Sequence, residues 1–552
     1  MPTPAKKKVA ELIVQCLENE GVEYIFGLPG EENIDVIEAL SSSKQIRFIL
    51  TRHEQGASFM ADIYGRLTRK AGVCLATLGP GAINLLLGTA DANLDSSPLV
   101  AIAAQASMPR LNKESHQIID LVALFNPVTK WTAMLQHRDM TAEVIRKAFK
   151  QAQMERSGAT AIIIPEDIAI EKVALNPLPV AQPKPTMPNP QQIERAATII
   201  NQAKHPIILA GHGICRMGVA NAVTRFVDTC RIPVATTFMA KGVVSDANPL
   251  NIGTIGFMRH DYTNFGFDRA DVIITIGYDL VEYSPSKWHP HEDKQIIHIH
   301  SMPAEVDSAY PVSVGIQGDM AVSLEMLTKL LTPIKKVMPV VQQARDLIHK
   351  ELTKYNHDQS FPLKPQKMVA DLRAALGDSD IALCDTGALK MWMARLYPCY
   401  QPDTCLISNS LATMGFTLPG ALAAKLVHPE RKIVAVMGDG SFLMNSQELE
   451  TAKREKIPFV ILIWHDNAYG LIEWKQNLEF GHATDVSFTN PDFVKYAESF
   501  GIRGYRITKA DELLPTLKTA LASNELVIID CPVDYSENMK LTDKLGHLTA
   551  AI

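Results

Sequence analysis

The amino-acid sequence predicts an α/β protein made of three doubly wound parallel-sheet domains. Apolar runs of strand length alternate with helical stretches, a proline-rich segment follows the first such region, and a break at FPLKP (361–365) precedes the third. Strands that alternate with helices form parallel sheets covered on both faces. A chain of 552 residues allows about three domains, and we expect them at residues 1–174, 192–345 and 362–552.

The predicted strands follow one another through each region. In the first they are 22–30, 47–51, 73–79, 99–105 and 160–167, and a helix from Val9 to Glu20 precedes them. Residues 174–191 hold six prolines, which block helix and central strand alike, so this segment is a linker. The second region has strands at 206–213, 232–238, 271–279 and 295–300, and the third at 381–387, 433–440, 459–467 and 525–534.

Composition excludes several classes of protein. The chain has 54 Lys and Arg against 60 Asp and Glu, a mild and well-mixed net charge of −6, which argues against a nucleic-acid or anionic-membrane surface. Its eight cysteines form no CxxC pair, so a disulfide scaffold or zinc ribbon is unsupported. No apolar segment has the length of a membrane span. The basic start is not followed by the apolar region that a signal peptide would have. We therefore expect a soluble, cytoplasmic protein.

Two acidic residues follow neighbouring strands of the third region. Gly438-Asp439-Gly440-Ser441 comes directly after IVAVM, and Asp466-Asn467 lies 27 positions beyond Asp439, after the next apolar strand. Carboxylates at adjacent strand ends suit Mg²⁺, and a glycine leaves room for a phosphate. Alone, Gly-Asp-Gly is more often a simple turn with an N-capping Asp. The second acid favours the metal site.

A second constellation lies in the first region. The segment RHEQGA (52–57) opens a helix with Glu54 in its first turn, where a carboxylate is stabilised whether or not it has a function. Glycine-rich turns at 27–30 and 78–82 each follow a strand and let a backbone approach a ligand closely. Neither is a GxGxxG fingerprint, and GHGICRMG (211–218) is only a loose match. The glycines alone would also allow a non-catalytic nucleotide-binding protein.

Taken together, these motifs resemble a known family. RHEQGA, TLGPGAIN (77–84), NSLATMGFTLPGAL (409–422) and the Gly-Asp-Gly with its later Asp-Asn are similar to the thiamine diphosphate enzymes of the acetohydroxyacid synthase type. The resemblance covers essentially the whole chain and implies pyrimidine-binding, central and diphosphate-binding domains. Three further stretches, at 276–288, 464–470 and 490–501, resemble the catabolic, FAD-independent acetolactate synthases.

The resemblance implies roles for individual residues. Glu54 would hydrogen-bond N1′ of the aminopyrimidine and promote the tautomer that removes the thiazolium C2 proton. Met414 would hold the cofactor bent, and the Ala412 carbonyl would accept from its 4′-amino group. His116 and Gln117 would contact the substrate near C2.

The remaining implied residues bind the cofactor and its metal. Asp439, Asp466 and the Ala468 carbonyl would bind Mg²⁺. The full set of cofactor-binding residues would be Pro29, Gly30, Gly79, Asn84, Gly387, Ala388, Leu389, Ala412, Met414, Gly438, Gly440, Ser441, Tyr469, Gly470 and Leu471.

The implied activity is acetolactate synthesis: one pyruvate is decarboxylated on thiamine diphosphate and its two-carbon remainder joins a second pyruvate, giving 2-acetolactate and CO₂. Another thiamine diphosphate-dependent decarboxylase or carboligase is the alternative. The family implies a homodimer or homotetramer with the cofactor between subunits.

Two departures from the family pattern affect these expectations. FAD is not expected, because residues 278–281 lack the arginines of the Arg-Phe-Asp-Asp-Arg stretch in FAD-containing relatives. Leu389 stands where many relatives have His.

Four histidines, at 289, 291, 298 and 300, we interpret as structural.

Overall fold

The computed structural model describes residues 5–181, 186–256, 261–539 and 541. Within these residues the chain forms three six-stranded parallel sheets and one two-stranded antiparallel pair. The sheets follow one another along the sequence, with helices between their strands. This confirms the predicted α/β class. No helix in the described ranges combines the length and the apolar character needed to cross a bilayer.

The first sheet has the strand order β3-β2-β4-β5-β7-β6. Three of its four inner strands, β4, β5 and β7, are buried along their whole length, as expected where helices cover both faces. The elements of this region are β1 (Lys7–Lys8), α1 (Val9–Asn19), β2 (Tyr24–Gly27), α2 (Ile34–Ser41), β3 (Arg47–Leu50), α3 (Glu54–Thr68), β4 (Gly72–Ala76), α4 (Pro80–Leu94), β5 (Leu99–Gln105), α5 (Leu121–Phe125), β6 (Trp131–Met134), α6 (Thr141–Gln153), β7 (Ala159–Pro165), α7 (Glu166–Ile170) and β8 (Lys172–Val173).

The second sheet has the order β11-β10-β9-β12-β13-β14. Numbered within its own region this is 3-2-1-4-5-6, the order of dinucleotide-binding folds. Its elements are α8 (Pro190–Gln202), β9 (Pro206–Ala210), α9 (Gly213–Arg216), α10 (Ala220–Cys230), β10 (Val234–Thr236), β11 (Asn251–Thr254), α11 (Asn264–Arg269), β12 (Val272–Ile276), β13 (Gln295–His300), β14 (Val312–Gln317), α12 (Met320–Leu330) and α13 (Pro339–Tyr355).

The third sheet has the order β16-β15-β17-β18-β20-β19. The elements are α14 (Pro365–Ala375), β15 (Ile381–Cys384), α15 (Ala388–Leu396), β16 (Cys405–Ile407), α16 (Thr417–Val427), β17 (Ile433–Gly438), α17 (Asp439–Met444), α18 (Glu448–Arg454), β18 (Val460–His465), α19 (Gly470–Phe480), α20 (Phe493–Ser499), β19 (Arg503–Arg506), α21 (Leu513–Ser523) and β20 (Val527–Pro532).

The first and third sheets share one topology. Numbered within their own regions, both have the order 2-1-3-4-6-5. In each sheet the second strand lies on one side of the first strand and the third strand lies on the other. The connections therefore diverge, and a crevice opens beyond the carboxyl ends of the first and third strands, where such sheets bind ligands. In the first sheet those strands are β2 and β4, and in the third they are β15 and β17. The glycine-rich turns of the sequence follow these strands.

The chain divides into two compact units that do not coincide with the three sheets. One unit contains the first sheet and takes its described residues from 1–183, 410–430 and 443–458. The other contains the second and third sheets and takes its described residues from 184–409, 431–442 and 459–552. Helices α16 and α18 therefore belong with the first sheet, although they lie in the third region of the sequence.

Candidate active site

Asp439 and Asp466 lie at the carboxyl ends of adjacent strands β17 and β18, which pair in parallel up to Gly438 opposite Trp464. Oδ2 of Asp439 accepts the backbone N–H of Asn467 at 2.7 Å and that of Asp466 at 3.3 Å. The turn after β18 is thus folded onto the first carboxylate. The spacing of 27 residues noted in the sequence corresponds to one strand–helix–strand step of the sheet.

These two carboxylates suit a divalent cation. Burial and the neighbouring charge of Asp439 raise the pKa of Asp466 to about 8, a repulsion that a cation between them would offset. In the described part of the chain no group of three or more His, Cys, Asp and Glu side chains converges as a closed metal site. Mg²⁺ commonly takes only one or two protein carboxylates and fills its other positions with water and phosphate oxygens. The donor set therefore fits Mg²⁺.

The segment 467–471 is held next to the carboxylates by short contacts. Ala468 pairs with Ser487 in an isolated bridge, and the Tyr469 N–H donates to the Val486 carbonyl at 3.0 Å. A Cβ added to Gly470 would lie only 2.5 Å from Oδ2 of Asp466, so a larger residue there would push this carboxylate aside. Leu471 is partly buried in the first turn of α19. The structure therefore brings Gly470 directly against Asp466 and ties Ala468 and Tyr469 to residues 486–487.

The predicted diphosphate cradle follows strands β15 and β17. Gly387 has φ +142°, a conformation that favours glycine, and precedes Ala388 at the start of α15. The Leu389 side chain is buried beneath the cradle, in van der Waals range of the Cβ positions of Gly387 and Gly438. The hydroxyl of Thr386 is buried and has no hydrogen-bond partner, which leaves an unused donor beside the cradle. An anion there would satisfy it.

Gly440 and Ser441 complete this edge of the sheet. The Asp439 carboxylate accepts the Gly440 N–H at 2.8 Å, and the Ser441 hydroxyl donates to the Thr386 carbonyl at 3.4 Å. The ring of Tyr469 lies 5.0 Å from that of Phe488 and covers the Gly440 backbone, where a Cβ would meet it at 3.0 Å. The absence of a side chain at position 440 lets these two rings pack directly against the backbone.

Two further side chains, for which the sequence predicted no role, form hydrogen bonds around the carboxylate site. Nδ2 of Asn490 donates to Oδ2 of Asp439 at 2.8 Å, while its buried Oδ1 has no partner. His465 hydrogen-bonds Asp530 at 2.8 Å and Asn467 at 3.0 Å, and the Asp530 bond raises the pKa of its imidazole to about 8. Asn490 lies in one of the stretches that carried the family resemblance, which is the signal that pointed to it.

In the unit of the first sheet, Glu54 begins α3 after the N-cap His53, whose ring accepts the Gln55 N–H at 3.1 Å. The Asn84 amide donates to Oε2 of Glu54 at 3.0 Å. A Cβ on Gly81 would stand 3.3 Å from Oε1, so the backbone of α4 comes close to the carboxylate. The structure therefore brings together Glu54 and the TLGPGAIN motif.

The two glycine-rich turns of this unit meet at the crevice of the first sheet. A Cβ on Gly30 would collide with Thr77 at 2.4 Å, and Pro29 is exposed beside it. Gly79 has φ +55° and lies against Gln117, whose Cβ would approach an added side chain at 3.0 Å. His116 precedes Gln117 on the same exposed turn. Gln117 thus lies against the turn that begins the TLGPGAIN helix.

The turn that carries Ala412 and Met414 is anchored to α4. Asp95 accepts the Ser410 N–H at 2.7 Å, and Asp91 accepts the Thr413 hydroxyl at 2.9 Å. Ala412 has φ +56° and is exposed, while Met414 is half-buried. Asp95 also pairs with the buried guanidinium of Arg66 at 3.1 Å. A buried ionic network thus fixes the turn expected to bend the cofactor.

The second sheet has a glycine turn at its own crevice, after β9, and a carboxylate of the chain occupies it. Both carboxylate oxygens of Glu282 lie 3.0 Å from the backbone nitrogen of His212, which donates its N–H between Gly211 and Gly213. The Asp279 N–H donates to the same carboxylate at 3.0 Å. Burial, together with the charge of Asp279, raises the pKa of Glu282 to about 7.

Three of the four histidines of the second region make ordinary packing contacts, and the fourth, His291, is exposed. Ring nitrogens of His289 contact the Ala309 carbonyl at 2.9 Å and the Lys294 N–H at 3.0 Å. Nδ1 of His298 contacts the Tyr310 hydroxyl at 3.0 Å, and its ring stacks on that of His300 with centroids 5.6 Å apart. These contacts support the structural interpretation.

Comparison with known proteins agrees with this geometry. Models of three thiamine pyrophosphate enzyme domains match the chain: the N-terminal TPP-binding domain at residues 7–124, the central domain at 193–327 and the C-terminal TPP-binding domain at 385–531. The chain is 37% identical to an acetolactate synthase of Bacillus subtilis, with 98% of this chain and 96% of that protein covered. It is 35% identical to a probable acetolactate synthase large subunit of Methanocaldococcus jannaschii (98% and 94% covered) and 34% identical to a catabolic acetolactate synthase of Raoultella terrigena (98% and 97%).

Proposed function

The chain belongs to the acetolactate synthase family of thiamine pyrophosphate enzymes, and on that premise we propose that it condenses two molecules of pyruvate into 2-acetolactate with release of CO₂. The observation that carries the proposal is that both expected polar centres are assembled. Glu54 is oriented by Asn84, and Asp439 and Asp466 meet at the crevice of the third sheet. A carboxylate suits both tasks, which are proton exchange at Glu54 and metal binding at Asp439 and Asp466.

Thiamine diphosphate, when bound, supplies the electron sink that lets a 2-keto acid lose CO₂. The chain's own part is to hold and orient it. Asp439, Asp466 and the Ala468 carbonyl would hold Mg²⁺, and the backbone at 387–389 and 440–441 would hold the diphosphate. The unpartnered hydroxyl of Thr386 is a further donor at that place.

Glu54 would exchange a proton with N1′ of the aminopyrimidine, and Met414 would support the bent form of the cofactor. The Ala412 carbonyl would accept from the 4′-amino group, and Pro29, Gly30 and Gly79 would allow close approach of the backbone. His116 and Gln117 would contact the keto acid. Support comes from the fixed position of Glu54, since a general acid–base group contributes only when its geometry is set in advance.

We further propose that the enzyme works without FAD. The backbone N–H of a glycine turn in a sheet of this order normally receives a dinucleotide's pyrophosphate. Here the Glu282 side chain accepts that N–H, so the donor is already taken and a pyrophosphate would have to displace the carboxylate. Protein denatured after purification should release no flavin, and activity should not respond to added FAD.

We also propose a homodimer or homotetramer in which the cofactor lies between subunits. Helix α4 exposes Ile83, Leu87 and Leu94 at 47, 39 and 37%, and their spacing puts all three on one helix face. A second copy of the chain is the partner that the family arrangement implies for such a face. Sedimentation of the active protein should give a dimer or larger, and an active monomer would contradict this.

The deciding experiment is a pyruvate assay on metal-stripped protein, with and without thiamine diphosphate and Mg²⁺, in which the product is converted by acid to acetoin. Acetoin that requires both cofactors and appears only after acid treatment is the expected result. Pyruvate loss with acetaldehyde as the product would replace the proposal with a simple decarboxylase. No pyruvate loss by cofactor-loaded protein would point to another keto acid as donor.

A further inference from the structure

A buried carboxylate meets the backbone immediately before Glu54. Glu448 is fully buried at the start of α18, and its Oε1 accepts the His53 N–H at 3.0 Å. The Arg52 N–H lies 3.2 Å from both carboxylate oxygens. The Thr451 hydroxyl donates to Oε2 at 2.6 Å. Both carboxylate oxygens of Glu448 therefore have donors, and two of these donors are consecutive amides leading into α3.

The residues around this contact leave room for the Glu448 carboxylate and stabilise its charge. Gly56, in the first turn of α3, faces it so closely that an added Cβ would lie 2.7 Å from Oε1. The positive ends of two helix dipoles, α3 and α18, point toward the carboxylate and favour its ionised form. Burial opposes ionisation and raises the pKa of Glu448 to about 6. At neutral pH Glu448 therefore remains an anion.

The surrounding charges hold α18 against the same loop. The guanidinium of Arg454 donates to the Leu50 carbonyl and also pairs with Glu450, and Arg47 pairs with Glu455. These pairs lie at the surface, where each contributes little. The interior contact through Glu448 is the one that bears directly on the peptide before Glu54.

We propose that Glu448 is a positioning residue for the reaction: it fixes the backbone of Arg52 and His53, and thereby the direction in which the Glu54 carboxylate points. This inference rests on the proposed function of Glu54. Glu448 itself touches neither substrate nor cofactor in the proposed scheme. Hydrogen bonds to a charged group are stronger than those between neutral groups, so these contacts favour one geometry of the helix entry over its alternatives.

The test compares Glu448→Ala and Glu448→Gln with Glu450→Gln, a partly exposed glutamate of the same helix. In cofactor-free protein, amide hydrogen exchange at Arg52 and His53 should quicken about tenfold or more in Glu448→Ala and stay unchanged in the control. In loaded protein, kcat should fall at least tenfold in both Glu448 variants while KM for pyruvate changes less than threefold. Glu448→Gln keeps the side-chain volume, so it provides the measurement if the alanine variant does not fold.

Gly56 offers an independent check. Gly56→Ala should displace the Glu448 carboxylate and lower kcat, and Glu448→Ala removes the atoms with which the new methyl collides. The double variant should therefore lose less than the sum of the two single losses. Additive losses, unchanged exchange at Arg52 and His53, or full kcat in a folded Glu448 variant would each overturn the inference. A wild-type protein that consumes no pyruvate would overturn the proposed function instead, and the exchange comparison would still decide whether Glu448 holds this backbone.

Discussion

The side-chain amide of Asn84 donates a 3.0 Å hydrogen bond to Oε2 of Glu54, which joins the second turn of α4 to the first residue of α3. Two helices that follow the strands on either side of β2 thus determine where this carboxylate lies. The arrangement holds Glu54 in one place before any cofactor binds. Several measurable consequences follow from this and related contacts.

Replacing Glu54 by Gln should lower turnover about 10²–10⁴-fold, because the amide cannot exchange a proton with the cofactor ring. The Asn84 contact can persist through the Gln carbonyl, so folding should be intact by circular dichroism. Glu143→Gln, on the exposed face of α6, is the matched control and should keep full activity. Near-normal turnover in Glu54→Gln would remove the assigned role.

Gly470→Ala should weaken Mg²⁺ binding by about tenfold or more, since the new methyl would meet Oδ2 of Asp466 at 2.5 Å and displace the carboxylate. Mg²⁺ titrations of activity at saturating thiamine diphosphate measure the effect. Gly315→Ala, where an added Cβ meets nothing within 4 Å, should behave as wild type. Equal Mg²⁺ requirements in both variants would argue against a metal at Asp466.

Thr413→Val should lower the free energy of unfolding by about 1–3 kcal/mol, because the buried Asp91 carboxylate loses the hydroxyl that donates to it at 2.9 Å. Urea denaturation measures this difference. The same change at exposed Thr198 should stay within about 0.5 kcal/mol. Thiamine diphosphate affinity should fall in Thr413→Val as well, because the turn that carries Met414 loosens.

Glu282 should make stability depend on pH. Its pKa rises from 4.5 to about 7 on folding, so its contribution is fully present below pH 4.5 and is lost as the pH rises through 7. Between pH 5 and 8 the wild type should therefore lose roughly 2–3 kcal/mol more unfolding free energy than Glu282→Gln. Denaturant titrations at several pH values test the difference, and parallel profiles would contradict the raised pKa.

The sequence predicted the central strands of each sheet and missed edge strands. Within the described residues, the strands without a predicted counterpart are the mutually paired β1 and β8 and five strands that each lie at one end of a six-stranded sheet, namely β6, β11, β14, β16 and β19. Central strands of a parallel sheet are buried on both faces and appear as continuous apolar runs. Edge strands such as β19, RGYR, are half-exposed and carry no such run. Their existence depends on a neighbour strand that local pattern does not reveal.

The amino-acid sequence alone determined the α/β class, the strand ends that carry Asp439 and Asp466, and the helix that begins at Glu54, because apolar periodicity and turn chemistry act over a few residues. Only the tertiary structure decided which distant groups meet there. Glu448 caps a backbone 395 residues before it, and Asp91 holds a hydroxyl 322 residues after it. Such contacts arise because packing brings buried donors and carboxylates together, and each buried polar group needs a hydrogen-bond partner. The whole fold determines which partner it finds, so no short segment of sequence reveals it.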